Sequence, residues 1–354
     1  MTLVDKLSQS KTVTGLLNKA SFLVFISVVL LLTGCDSGPE IIKISGSKMG
    51  TTYHVTVVAD QPAPDDLADR IDAVLDIVDH SMSTYKAASE LSQFNDLAVG
   101  SSQQISADFA RVLAVSKTVW ERSGGAFDPT VGPLVDLWGF GPIATDVVPE
   151  QAQIDAAKAE LGFQYLTFNN SELAKSKPVR VDLSAVAKGY AVDLVADLLE
   201  MLALPNYLVE VGGEMRLSGS NPEGMAWRVA IELPSLMPQV ERIIGVQDMA
   251  VATSGDYRNY FEQQGVRYSH TIDPRTGRPI THSLASVTVL AEQCADADAW
   301  ATAFMVLGDK DGMALANELA IPLYMLVKDV AGFKAIHSRA FEPYVNAQKR
   351  VKDD

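Results

Sequence analysis

One stretch of the chain, residues 181–199, requires a sharp turn into a helix, and the elements around it must accommodate that turn. The preceding residues 179–183 are apolar and β-prone, so they predict a short strand. Beyond Ser184 the apolar residues recur at helical spacing, which predicts a helix with Ser184 as its N-cap. These apolar residues are Ala187, Ala191, Leu194, Val195, Leu198 and Leu202.

The start of this predicted helix is suited to hold an anion. Free backbone N–H groups and the positive end of the helix dipole meet there, and Lys188 adds a charge. Gly189 allows a ligand or another backbone to come close, and Asp182 and Ala185 lie in the same turn. The stretch therefore predicts a phosphate or pyrophosphate site. The alternative is an ordinary strand-to-helix corner with a solvated lysine.

The net charge limits the class of ligand and partner. The chain has 354 residues and a formal charge of −15, which argues against a nucleic-acid partner. An anionic ligand must then be held by local groups or by a metal ion, because the overall field repels it. The length allows one large domain or two closely packed ones.

The N-terminal segment resembles a lipoprotein signal. A basic flank precedes the apolar run at residues 21–32, which is short for a membrane span, and the run ends in Leu-Thr-Gly-Cys at residues 32–35. We expect cleavage after residue 34, lipidation of Cys35 and a tether over residues 35–40. Asp36 resembles the signal for retention at the inner membrane, so we expect an anchor on its periplasmic face. The alternative is a short anchor helix with a chance cysteine.

Residues 126–141 interleave glycine, proline and large apolar residues without a period. Such a stretch is neither a regular helix nor a regular strand for long, so it predicts an irregular wall around a flat apolar ligand, with Asp128 inside it. A packed long loop is the alternative.

Residues 245–253 predict a single strand, and residues 41–59 predict a hairpin with Met49 at its turn.

Several single residues are candidates for a site. Residues 296–307 predict a helix that stops at Gly308 and carries Asp298 and Thr302 on one face, both with hard oxygen donors suited to Mg²⁺. His270 lies three residues before Asp273, and Tyr85 lies on a loop. Each also has an ordinary structural interpretation: a helix-dipole carboxylate with a surface threonine, a structural histidine, and a half-buried tyrosine.

The order of the motifs is more specific than any one of them. The chain carries MGTTY at 49–53, SELSQFN at 89–95, GGAFDPTVGPLVDLWGFG at 124–141, DLSAVAKGY at 182–190, GGE at 212–214, SGDY at 254–257, HTIDPRTG at 270–277 and ADAWATA at 297–303. In this order the motifs resemble the ApbE family, the FAD:protein FMN transferases. The resemblance covers about residues 41–340, and it leaves residues 341–354 as a charged C-terminal tail.

The resemblance implies a fold and a set of site residues. The fold is α+β, with duplicated T-fold-like units whose mainly antiparallel sheets are flanked by helices. The Mg²⁺ ligands fall on the Ala185 carbonyl, Asp298 and Thr302. The candidate for activating the acceptor hydroxyl is His270, with Asp256 or Asp273 as second choices. The positions expected to contact FAD are Met49, Tyr85, Ala126, Phe127, Asp128, Asp182, Lys188 and Ile272.

The implied reaction is Mg²⁺-dependent transfer of FMN from FAD to a threonine hydroxyl, with release of AMP. The implied acceptors are flavoprotein subunits of sodium-pumping NADH:quinone reductase or related electron-transport complexes. Two alternatives stay open. One is a FAD pyrophosphatase that releases FMN and AMP, and the other is a non-enzymatic lipoprotein that binds flavin.

Overall fold

The computed structural model of the protein describes residues 38–141, 147–234, 239–256, 260–263, 266–330 and 332–351. The chain divides into two compact units, Met1–Glu40 and Ile41–Asp354. Of the first unit only residues 38–40 are described, so Cys35 and the predicted signal segment lie outside the described residues. None of the described helices combines the length and the apolar character that crossing a membrane requires.

The second unit contains the helices of the described chain. Their apolar residues recur every three to four positions, as in the first of them, where Ile71, Leu75 and Val78 are buried. The helices are α1 (Leu67–Met82), α2 (Glu90–Asp96), α3 (Ala107–Arg122), α4 (Gly132–Leu137), α5 (Gln151–Ala159), α6 (Ala187–Met201), α7 (Cys294–Glu318) and α8 (Glu342–Val351). Short 3₁₀ turns lie at Phe163–Tyr165 and Arg339–Phe341.

An eight-stranded sheet is the largest element, and its strand order is β1-β2-β6-β7-β10-β15-β16-β17. From β2 to β17 every neighbouring pair is antiparallel. Its strands are β1 (Glu40–Lys48), β2 (Thr51–Ala59), β6 (Tyr207–Val211), β7 (Glu214–Ser218), β10 (Met249–Gly255), β15 (Leu284–Ala291), β16 (Leu323–Asp329) and β17 (Gly332–His337).

The remaining strands form small sheets that are also antiparallel. They pair as β3-β5-β4, β8-β9, β11-β12 and β13-β14. Their bounds are β3 (Ser102–Gln104), β4 (Leu166–Phe168), β5 (Glu172–Lys175), β8 (Trp227–Glu232), β9 (Val240–Val246), β11 (Tyr260–Gln263), β12 (Val266–Ser269), β13 (Ile272–Asp273) and β14 (Arg278–Pro279).

The large sheet consists of two similar halves. Strands β1-β2-β6-β7 make one half and β10-β15-β16-β17 make the other, and β7 pairs with β10 where they meet. In each half one pair of strands precedes a long helix, α6 or α7, and a second pair follows it. The α+β class, the mainly antiparallel sheets and the duplication predicted from the sequence are therefore confirmed.

Both faces of the sheet are covered. Valines of β2 and β15 pack with α6, α7 and α1 in the main hydrophobic core. On the other face, residues of β8 and β9 pack with Leu217, Leu290 and Phe341 in a second core. The central strand β15 is consequently buried on both sides, and seven of its eight residues are buried. Helix α8, which lies in the predicted charged tail, packs Tyr344 and Val345 against this second core.

Two local predictions around the helices are wrong. Residues 179–183 form no strand, because their backbone bonds to side chains and to a loop instead of to a neighbouring strand. Ser184 does not cap α6, which begins at Ala187 with Val186 in the cap position. The predicted stop at Gly308 is confirmed, because α7, which begins at Cys294, consists of two helices joined across a break at Gly308 with φ 80° and ψ −178°.

One further prediction needs correction. The single strand predicted over residues 245–253 is two strands, β9 and β10, because the chain turns at Asp248, whose φ is 54°. As predicted, residues 126–141 contain no long regular element: they are irregular except for the short helix α4, whose first turn accommodates Pro133.

Candidate active site

Lys188 lies between two buried carboxylates at the start of α6. Its Nζ is 3.2 Å from Glu214 Oε1 and 3.8 Å from Asp298 Oδ2. Asp298 Oδ2 also accepts the backbone N–H of Gly189 at 3.0 Å. The first turn of α6, the first residue of β7 and the first half of α7 therefore meet at one polar centre, which we call the lysine centre: Lys188, Gly189, Glu214 and Asp298.

The electrostatics of the lysine centre keep the lysine charged. Burial alone lowers the pKa of Lys188, but the negative charges of Asp298 and Glu214 outweigh it and hold the pKa above its ordinary value. Burial, followed by the charge of Asp298, raises the pKa of the Glu214 carboxyl. Glu214 Oε2 is buried and has no hydrogen-bond partner in the described part of the chain. The lysine centre thus holds the charged Lys188 beside a Glu214 oxygen that accepts no hydrogen bond from the described residues.

Two glycines allow the elements to meet this closely. A Cβ on Gly189 would lie 2.4 Å from the carbonyl oxygen of Cys294, so the contact between α6 and α7 excludes any side chain there. Gly212, with φ +62°, lies in the turn between β6 and β7, and a Cβ on it would meet Thr51 and the Lys188 side chain at about 3 Å. The turn that carries Met49 is therefore adjacent to the lysine centre.

The predicted metal ligands lie on α7 and just before α6. Asp298 and Thr302 are one turn apart on α7, and Thr302 Oγ1 is 3.4 Å from Ser254 Oγ. Ala185 precedes the first residue of α6 by two positions. In the described ranges no three His, Cys, Asp or Glu residues cluster as a metal site. The predicted set instead offers a carboxylate, a hydroxyl and a carbonyl, an all-oxygen set that suits Mg²⁺ with further ligands from a substrate.

The wall residues at 126–130 are organised by Asp128. Its Oδ1 accepts the N–H of Thr130 at 2.8 Å and the Thr130 hydroxyl at 2.6 Å. Burial raises the pKa of Asp128, although these hydrogen bonds oppose the shift. Ala126 and Phe127 are 1% and 2% exposed, so their side chains lie in the protein interior and leave mainly backbone for a ligand.

The segment that leads into α6 is held by side chains from distant elements. Asn95 accepts the N–H of Val181 at 2.7 Å and donates to its carbonyl at 2.8 Å. The buried Lys175 ammonium donates to the carbonyls of Asn95 and Val179. On the other side, the N–H of Asp182 donates to the Pro129 carbonyl at 2.7 Å. Asp182 is therefore positioned between α2 and the wall.

We expect the Asn95→Ala substitution to lower the free energy of unfolding by about 2–3 kcal/mol, because it leaves both polar groups of the buried Val181 backbone without a partner. FMN transfer should fall as well, because Asp182 loses its support. Urea unfolding measures the stability. The control is Gln93→Ala on the exposed side of the same helix, whose amide donates only to the Ala88 carbonyl among the described contacts. Equal stability of the two variants would contradict the role of Asn95.

The HTIDPRTG motif and the wall form one structural unit. Ile272 is buried with Leu134, Trp138 and Ile154 in a third core. The Trp138 indole donates to the Gly277 carbonyl at 2.9 Å. The His270 ring packs edge-on against Phe140, with ring centres 6.3 Å apart. The wall residue Phe140 thus orients the side chain predicted to activate a hydroxyl.

The two carboxylates that were second choices for catalysis are paired with cations. Asp273 receives the Arg275 guanidinium at 2.9 Å through each of its oxygens. Asp256 is buried, and its Oδ2 lies 3.7 Å from Arg267 and 4.0 Å from Lys328. Both carboxylates are therefore engaged in ion pairs within the protein.

Met49 and the segment of Tyr85 lie at one cleft. Met49, with φ 53°, forms the turn between β1 and β2 and lines a cleft of about 690 Å³. Lys86 lines the same cleft, and the neighbouring Tyr85 is 89% exposed. A large exposed aromatic ring beside a cleft of this size is suited to stack on a flat ligand.

Sequence reasoning placed no role on Glu214, Asn95 or Gly212, although all three lie in the motifs quoted above. The only local signal was a glutamate directly after a Gly-Gly turn. The contact of Glu214 with Lys188 joins residues that are 26 positions apart in the sequence, so the spacing of residues within one helix or strand does not predict it.

The comparisons with known proteins agree with each other. The sequence model of the ApbE family matches residues 49–325. An FAD:protein FMN transferase of Vibrio cholerae is 47% identical over 334 residues, which cover 92% of this chain and 99% of that protein. One of Haemophilus influenzae is 42% identical over 334 residues, which cover 91% and 96%. The solved structure of the flavin transferase ApbE from Vibrio cholerae covers 86% of this chain and 99% of its own, with a TM-score of 0.81 and 45% identity.

Proposed function

The chain belongs to the ApbE family, and from that premise we propose that it is a transferase that moves FMN from FAD to a threonine hydroxyl of an acceptor protein. The hydroxyl oxygen of the acceptor forms a bond to the phosphorus on the FMN side of FAD. The bond from that phosphorus to the bridging oxygen breaks, and AMP leaves with that oxygen. The hydroxyl proton passes to a base of the protein.

The observation that carries this proposal is the lysine centre. Lys188 and the positive end of the α6 dipole supply positive charge for the diphosphate of FAD. The Ala185 carbonyl, Asp298 and Thr302 would hold Mg²⁺. When bound, Mg²⁺ neutralises negative charge that develops on the diphosphate. The contact of Gly189 with Asp298 supports this assignment, since it keeps the cation ligand beside the diphosphate site.

The flavin part of FAD is proposed to bind at the wall and at the cleft that Met49 lines. Met49 and Tyr85 offer apolar and aromatic surface, and Ala126, Phe127 and Asp128 offer backbone and one carboxyl group. Ile272 completes the wall from the third core, and Asp182 lies at its end next to α6. This combination of apolar surface with a few polar groups is typical of small-molecule sites.

His270 is the proposed base for the acceptor hydroxyl. Its ring is half-buried and is oriented by Phe140, whereas the carboxylates of Asp256 and Asp273 are held by cations. Histidine is also the side chain that most often serves as a general base in enzymes.

A membrane-facing location is part of the proposal. The lipobox-like sequence at residues 32–35 supports lipidation at Cys35 and an anchor on the periplasmic face of the inner membrane. The proposed acceptors are flavoprotein subunits of sodium-pumping NADH:quinone reductase or related electron-transport complexes. A Cys35→Ser variant that stays with the membrane fraction after expression would contradict the anchor.

The test is mass spectrometry of an acceptor domain incubated with the protein, FAD and Mg²⁺. We expect the mass of one FMN on a threonine of the acceptor, together with release of AMP. Rapid release of FMN and AMP without labelling of the acceptor would instead identify a FAD pyrophosphatase. Binding of FAD with no reaction would identify a flavin-binding protein. Either of the last two outcomes overturns the proposed transfer.

A further inference from the structure

The first turn of α7 is capped by a residue of α6. The buried Asp193 carboxylate accepts the backbone N–H of Cys294 at 2.8 Å through Oδ1 and that of Ala295 at 2.9 Å through Oδ2. Gln293, in the cap position of α7 itself, provides no side-chain cap. A helix normally receives its cap from the residue that precedes it, whereas here the cap comes from a side chain about 100 positions earlier in the sequence.

Arg216 holds the Asp193 carboxylate in place. Its Nη1 lies 3.2 Å from Asp193 Oδ1 and 3.2 Å from Asp197 Oδ1, and its Nη2 lies 3.2 Å from Glu200 Oε1. Arg216 belongs to β7, two residues after Glu214 of the lysine centre. The sheet therefore fixes both the cap of α7 and one partner of Lys188.

A second contact between the same two helices runs in the opposite direction. Gly189, one turn before Asp193 on α6, donates its N–H to Asp298, which lies one turn after Cys294 on α7. Each helix thus donates backbone N–H groups to a carboxylate of the other. Because the helices also touch where Gly189 has no side chain, this pair of contacts fixes both the rotation and the translation of α7 against α6.

We propose that Asp193 is a positioning residue for the cation site: by capping α7 it sets the place of Asp298 and Thr302 relative to Lys188 and the Ala185 carbonyl. The inference rests on the proposed Mg²⁺-dependent transfer. Among the described contacts, Asp193 bonds to the first turn of α7 and to Arg216 and to none of the proposed cation ligands. Its effect should therefore appear in the affinity for Mg²⁺ and less in the rate at saturating Mg²⁺.

The test is the Asp193→Asn variant, in which one of the two N–H groups of α7 faces an amide donor. We expect calorimetric titration of the full chain with MgCl₂ to show an affinity about tenfold weaker than that of the wild type. The Mg²⁺ concentration for half-maximal FMN transfer should rise by about the same factor. The rate at saturating Mg²⁺ should fall by less than about threefold, because the groups of the lysine centre are unchanged.

The matched control is Asp197→Asn, which removes a half-exposed partner of Arg216 and leaves α7 untouched. It should bind Mg²⁺ as the wild type does. A folded Asp193→Asn protein with wild-type Mg²⁺ affinity would overturn the proposal and leave Asp193 as a structural cap only. If that variant does not fold, Arg216→Gln decides: it should weaken Mg²⁺ binding about threefold, and unchanged affinity overturns the proposal.

The same measurements separate this inference from the proposed function. If the wild type binds no Mg²⁺ and transfers FMN without it, the assignment of the cation site fails. If the wild type needs Mg²⁺ and the folded Asp193→Asn and Asp197→Asn variants both bind it as tightly as the wild type does, only the positioning role of Asp193 fails.

Discussion

The Asp298→Asn variant is expected to transfer FMN at least about 100-fold more slowly than the wild type and to lose its response to Mg²⁺. The asparagine oxygen can still accept the N–H of Gly189, so the contact between α6 and α7 persists. What is lost is the negative charge that a hard divalent cation requires. The measurement is the initial rate of acceptor labelling across a range of MgCl₂ concentrations.

The protein should stay folded in this variant because Lys188 keeps Glu214 as its counter-ion at 3.2 Å. We expect the unfolding temperature to change by less than about 4 °C. Asp296→Asn is the matched control, since Asp296 lies in the first turn of the same helix and outside the lysine centre. Full Mg²⁺-dependent activity in the Asp298→Asn variant would contradict the assignment of Asp298 as a metal ligand. Equal losses of transfer rate in the Asp298→Asn and Asp296→Asn variants would show that this helix tolerates no change.

The sequence predicted those parts of the site that lie within one element. The helical spacing after residue 184 placed Lys188 at the start of a helix, and the spacing of Asp298 and Thr302 placed them one turn apart. Both predictions are confirmed because a helix repeats locally and needs no knowledge of its neighbours. That these helices carry a FAD site and a cation site stays a prediction.

The sequence failed where the partner of a backbone group is distant. Residues 179–183 have strand-like composition, but Asn95 and Pro129 take the hydrogen bonds that a neighbouring strand would have taken. Gly308 ends the first helix as predicted, with φ 80° and ψ −178°, but the sequence did not show which group surrounds it. A Cβ at that position would lie 2.8 Å from the His282 ring, so the glycine reflects a tertiary contact. The composition of a segment indicates which secondary structure it can adopt, but not which distant group it contacts.

The second large effect is expected for Lys188→Met, which should reduce FMN transfer about 10²–10³-fold because the diphosphate loses its fixed positive charge. The variant should also lose about 3–5 kcal/mol of stability. Glu214, whose side chain is 7% exposed, would be left beside Asp298 without a counter-ion. Labelling rates and urea unfolding measure the two losses.

The double variant Lys188→Met with Glu214→Gln separates the two effects. Removing the second charge takes away the unpaired buried carboxylate, so most of the lost stability should return, while the transfer rate should stay low. If the double variant is as unstable as Lys188→Met, the loss does not come from an unpaired Glu214. If its transfer rate recovers, Lys188 does not act on the diphosphate and serves only to neutralise Glu214. Slow transfer by a stable double variant is the result that ties the positive charge of Lys188 to the chemistry.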